Sequence, residues 1–133
     1  MKKRRILLCL MLFLFMFANT ALATTWVFYD FFDEGPSYID ADTVYRSGNT
    51  LYFWELDEYD EYAHDKRYIG YRATMRYEVQ LASPRKMRQL EYHAYDSNNK
   101  EPYYNNTTPT DWWTVNSGDF DDGLINLALH YAR

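Results

Sequence analysis

The chain has 133 residues, 20% of them aromatic and 25% charged, with a formal net charge of −5. That length supports one domain with a modest core, and the acidic balance argues against nucleic acid or anionic lipid as a partner. The single cysteine, Cys9, rules out an internal disulfide, so packing must stabilise the fold.

Lys2-Lys3-Arg4-Arg5 is a positive leader, residues 6–17 are an unbroken apolar run, and Thr20-Ala21-Leu22-Ala23 ends in the small-x-small pattern of a signal-peptidase site. The apolar run is roughly half the length of a stable membrane span. The expectation is a signal peptide over 1–23, cleaved between Ala23 and Thr24, leaving one exported domain over 24–133 without a transmembrane anchor. Lipidation is not expected, because Leu8 precedes Cys9 and the apolar run continues past it. Cleavage removes four of the 14 basic residues and none of the 19 acids, so residues 24–133 carry about −9.

Residues 26–32 are aromatic and β-prone. Asp33-Glu34-Gly35-Pro36 is expected to break that strand, since Pro lacks a ladder donor and Gly accepts turn geometry. A short strand is expected over 38–45, interrupted at Asp40-Ala41-Asp42, and Ser47-Gly48-Asn49 marks a tight turn into an aromatic strand over 50–56. The clearest strand spans 66–81. There Ile69, Tyr71, Ala73, Met75, Tyr77, Val79 and Leu81 alternate with Gly70, Arg72, Thr74, Arg76, Glu78 and Gln80, the period of a sheet with one buried and one wet face. Ala82-Ser83-Pro84 turns the chain into a strand over 86–96. Residues 97–111 read as a polar loop and 112–115 as a short last strand.

The period then changes. Phe120, Leu124, Leu127, Ala128 and Tyr131 share a face at helical spacing. Ser117 or Asp119 can cap the start, and Asp119, Asp121 and Asp122 suit the positive end of the helix dipole. Gly123 weakens such a helix by up to about 1 kcal/mol relative to Ala, so the helix needs the sheet to hold it. The expected fold class is α+β: a single antiparallel sheet of about five to six strands with a C-terminal helix packed on one face.

Candidate chemistry is sparse. Glu55-Leu56-Asp57-Glu58-Tyr59-Asp60-Glu61, with His64 and Asp65 behind it, is the densest ligand-capable run, but it lacks the Asp-x-Asp-x-Asp-Gly order of a calcium loop. It reads as a solvated hairpin whose acids face the basic residues that follow. His64, His93 and His130 form no HxxxH pair, and no cysteine beyond residue 23 can complete a zinc set. There is no GxSxG motif, and nothing in the pattern gives a carboxyl a reason to be buried with a raised pKa. No catalytic, cofactor-binding or metal-binding residue is therefore assigned, and no enzyme is expected.

Seven of the ten basic residues in 24–133 fall between positions 66 and 88. Lys66, Arg72 and Arg76 share strand parity, Arg67 is adjacent, and Tyr68 and Tyr92 are nearby. Two readings stand. One is pairing with the acidic strand before it, worth about 0.2–1 kcal/mol per exposed pair. The other is a basic-aromatic patch that meets an acidic partner, with Lys66, Arg67, Arg72 and Arg76 as its contacts.

With these elements in place, residues 24–133 resemble the surface-adhesin protein E family of bacterial exported proteins. The resemblance rests on Trp26-Val27-Phe28-Tyr29, Tyr38-Ile39-Asp40 with Thr43-Val44, and Leu51-Tyr52-Phe53-Trp54. Arg88-x-Leu90, Tyr95-Asp96 and Trp112-x-x-Val115-x-Ser117 complete it. It implies a small antiparallel sheet with a C-terminal helix on one face, and adhesion to host matrix or plasma proteins. It also implies a helix-to-sheet disulfide, from which this chain departs: Val79 stands where the strand cysteine is expected, and Tyr131 falls near the other. Losing a native bridge costs roughly 2–5 kcal/mol unless packing compensates. The alternative function is a periplasmic small-ligand or cofactor binder, with an aromatic pocket between sheet and helix.

Overall fold

The computed structural model describes residues 24–98 and 100–133; the expected signal peptide, Ala23 of its cleavage site and Cys9 lie outside the described residues. Eight strands form one antiparallel sheet: β1 (Trp26–Phe32), β2 (Gly35–Asp40), β3 (Tyr45–Ser47), β4 (Thr50–Glu58), β5 (Arg72–Gln80), β6 (Lys86–Tyr95), β7 (Tyr104–Asn106) and β8 (Trp113–Thr114). The order is β1-β2-β4-β5-β6-β7, with β3 added to β4 and β8 to β6. One helix, α1 (Phe120–Tyr131), closes the chain. The α+β sheet-and-helix architecture is as expected.

Several boundaries move, each for a local reason. Only Asp33 and Glu34 form the first turn, while Gly35 and Pro36 begin β2, where Pro36 pairs with β1 ahead of the first β4 partner, Ser37. A Cβ on Gly35 would lie 1.9 Å from the Glu58 carbonyl oxygen, so only glycine lets β2 start this close to the end of β4. The strand expected over 38–45 ends at Asp40, whose carboxylate accepts from the Asp42 amide and the Thr43 hydroxyl and turns the chain. The strand expected over 66–81 begins only at Arg72. Residues 66–68 are a 3-10 turn capped by the Asp65 side chain, and Gly70 takes a φ of +86°. The polar loop over 97–111 contributes β7.

Alternation holds where the pattern is strict. Along β4, Leu51, Phe53 and Glu55 are buried, and along β5 so are Ala73, Met75, Tyr77 and Val79. Leu51, Phe53, Ile39, Val79 and Met87 form the core with Leu124, Ile125 and Ala128 of the helix. Ile125 is fully buried, whereas Leu127, assigned to the apolar face from spacing, packs at its margin. His130 is exposed, as expected. Asp119 occupies the N-cap position without a side-chain capping bond; Asp122 instead accepts from the Gly118 amide at 3.0 Å.

Polar contacts also tie the helix to the sheet. Tyr29 Oη donates to the Phe120 carbonyl at 2.9 Å, Trp113 Nε1 to Asp121 at 3.0 Å, and Arg85 to Asp122 at 3.1 Å and Asn126 at 2.8 Å. Val79 is fully buried in the core and Tyr131 packs against it, so side-chain packing occupies both places where the resemblance implied cysteines.

Candidate functional site

The sheet has two unlike faces. Among the described residues no helix lies on the face opposite α1. Across it run the cross-strand rows Tyr52–Glu78–Arg88, Trp54–Arg76–Glu91 and Glu58–Arg72–Tyr95. Arg88 pairs with Glu78 at 2.7 Å and lies 4.6 Å from the Trp112 ring; Arg76 pairs with Glu91 at 3.2 Å and faces Tyr52. Trp54 stacks on His93 at 5.9 Å, and the Arg72 guanidinium sits 4.8 Å from the Tyr95 ring. Trp26, Trp54, Thr74, His93 and Tyr95 line a shallow groove of about 440 Å³ here.

Of the four basic candidates, the structure brings together two. Arg72 and Arg76 lie four residues apart on the uncovered face of β5, with Thr74 between them on that face. Lys66 and Arg67 sit in the 3-10 turn, not on the strand: Lys66 Nζ donates to the Glu61 carbonyl, and Arg67 forms an exposed pair with Asp65 at 2.6 Å. The aromatic neighbours differ as well, because Tyr92 pairs with Met75 on the helix side.

The acidic run is not a solvated hairpin. Its first half belongs to β4, and alternation turns Glu55 and Asp57 inward. Glu55 is only 4% exposed, accepts from the fully buried Ser37 Oγ at 2.6 Å, and is approached by Asp57 and Tyr77. Burial, reinforced by the neighbouring Asp57, pushes the Glu55 carboxyl well up; burial raises Asp57 too. Glu55 therefore keeps the proton. Asp57 Oδ1 is buried without a hydrogen-bond partner among the described residues. The hydrophobic pattern of 50–56 predicted the strand but not its extension through Asp57, and no residue-type signal separates a buried carboxyl pair from a solvated one.

The rest of the run opens a connection, residues 59–71, that folds over the same end of the helix-side face. Tyr59 and Tyr71 anchor its two ends: the Tyr59 amide donates to the Tyr71 carbonyl at 2.9 Å, and the Gly70 amide to the Tyr59 carbonyl at 2.7 Å. The Asp60 amide donates to the Glu34 carbonyl at 3.1 Å, and the His64 amide to the Glu34 carboxylate at 3.3 Å. The connection leaves a cavity of about 390 Å³ against Tyr92 and Ala94 of β6. None of its lining residues comes from α1, so the aromatic pocket lies beside the helix-covered core and not between sheet and helix. Among the described residues no group of three or more His, Cys, Asp or Glu side chains is placed to hold a metal.

Among the described residues, the antiparallel sheet is braced on one face by the terminal helix and displays aromatic and charged rows on the other. The chain belongs to the surface-adhesin protein E family, whose profile matches residues 26–128. Membership implies an adhesin-like binding role and an exported protein, in a family that is generally non-enzymatic. No helix of the described residues is long and apolar enough to cross a membrane. No individual curated protein and no solved structure matches the chain significantly.

Proposed function

We propose that this is an exported bacterial envelope protein that captures a host matrix or plasma protein through the uncovered face of its sheet. The observation that supports this reading is the joint display of Arg72 and Arg76 among Tyr52, Trp54 and Tyr95 on a face that no helix of the described residues covers. Aromatic and arginine side chains supply most of the energy of protein interfaces, and a partner's carboxylates can compete with Glu91 for Arg76. Lys66 and Arg67 act at the margin as exposed charges that steer approach. Cleavage between Ala23 and Thr24 releases the domain to the periplasm, the surface or the medium.

The test is capture of immobilised matrix and plasma proteins by wild type and by the Arg72→Glu/Arg76→Glu double variant. Capture of at least one ligand, weakened tenfold or more in the variant at unchanged melting temperature, is the expected result. Equal capture by a folded double variant sinks the assignment of the face.

A further inference from the structure

The cavity under residues 59–71 belongs neither to the core nor to the uncovered face. Its walls are tyrosine rings set nearly at right angles: Tyr68 and Tyr71 lie 5.2 Å apart at 85°, Tyr71 and Tyr103 5.9 Å apart at 69°. Tyr59 and Tyr92 complete the enclosure. Orthogonal rings present several π faces to one small guest, the arrangement suited to an alkylated ammonium group. The Tyr59, Tyr92 and Tyr103 phenols keep their protons, since burial pushes Tyr59 up to about 12 and raises the other two. The walls therefore offer ring quadrupoles.

Carboxylates stand beside the rings. Glu34 and Asp65 contribute to the lining, Glu34 with His64 3.7 Å away and Asp65 paired with Arg67 at 2.6 Å, and Asp57 lies close enough to act on both Tyr59 and Tyr92. Arg72 also borders the cavity, but its guanidinium is drawn to the Tyr95 ring on the other side of the sheet. The backbone bonds that close residues 59–71, together with the Tyr103 amide donating to the Ala94 carbonyl at 2.9 Å, fix the main chain that carries the rings, and Tyr71 packs edge-on against both Tyr68 and Tyr103.

We propose that this cleft binds a small solute through a quaternary or otherwise alkylated ammonium group. A neutral guest of the same shape gains the apolar contact but loses the attraction to rings and carboxylates.

The test follows tyrosine ring resonances during titration with choline chloride and with its uncharged isostere 3,3-dimethyl-1-butanol. Choline should shift the cleft tyrosines saturably, and the isostere should bind at least about tenfold more weakly. Tyr103→Leu, at a position 57% exposed and so outside the core, should weaken choline about tenfold at unchanged melting temperature; Tyr68→Leu, at 42% exposed, is the second such variant. No saturation, equal binding of the two compounds, or unchanged choline affinity in both variants overturns the proposal. Phosphatidylcholine vesicles identify the source of the group: flotation of wild type but not of Tyr103→Leu would overturn the free-solute assignment in favour of a lipid headgroup. None of these outcomes bears on Arg76, which lies on the opposite face.

Discussion

The two ends of the helix-side face are made from the same strands yet obey different physics. Along β4 the inward residues run Leu51, Phe53, Glu55, Asp57, and along β2 they run Ile39, Ser37. Where they are apolar, α1 seals them with Leu124, Ile125 and Ala128. Where they turn polar, the chain covers them with residues 59–71, a buried carboxyl pair in which Glu55 keeps its proton, and a tyrosine-lined space. The first end contributes stability that does not depend on pH. The second gives some of it up to keep polar groups and a cavity inside, as binding sites do.

The largest expected effect comes from cutting the apolar end. Phe53→Ala removes a side chain that is 1% exposed and in contact with Tyr77 at 5.5 Å between ring centroids. The loss should be about 3–5 kcal/mol in urea denaturation, the same at acid and neutral pH. A loss that changed with pH would mean the two ends are not separate.

Glu55→Gln tests the polar end and should act in the opposite direction. The folded state holds the Glu55 proton more tightly than the unfolded chain does. Its contribution is therefore complete below the ordinary carboxylate range and is lost as pH rises through the raised value. Wild type should lose stability between about pH 5 and about pH 8. Glutamine can still accept from Ser37 and has no proton to lose, so the variant should flatten that slope and gain on the order of 1–3 kcal/mol at the alkaline end. Parallel pH profiles for the two proteins would show that Glu55 is ionised in the fold.

That contrast also explains which parts of the structure the sequence revealed. The apolar end was legible because strict alternation from Ala73 to Val79 and the helical spacing of Leu124 and Ala128 each admit one amphipathic solution. Residues 66–71 continue the same alternation, yet Asp65 caps a turn and Gly70 adopts a positive φ, so the period there is coincidental. The polar end was hidden for a related reason. A carboxyl facing inward has the same letter as one facing water, and only the register of Asp57 with Ser37 and Ala73 decides between them. The tyrosines of the cleft come from β6, from the β4–β5 connection and from the segment before β7, three stretches that no local pattern joins. The basic cluster was visible as composition, but its split between a turn and a strand face was not.

The smallest expected effect concerns the seam between helix and sheet, and it reverses a rule of helix propensity. Replacing an exposed helical glycine by alanine stabilises by up to about 1 kcal/mol. At Gly123 the added Cβ would lie 2.0 Å from Tyr29 Oη, which donates to Phe120 and whose ring packs on that of Phe120 at 4.9 Å. Alanine must therefore displace the tyrosine and cost its hydrogen bond, worth about 0.5–1.5 kcal/mol, together with some ring packing. Gly123→Ala should be destabilising by about 1 kcal/mol in wild type and stabilising in a Tyr29→Leu background, where no hydroxyl occupies the space. Thermal denaturation of the four proteins in this cycle measures the coupling directly. An equal effect of Gly123→Ala in both backgrounds would show that helical conformation alone, and not the approach of β1, sets the glycine.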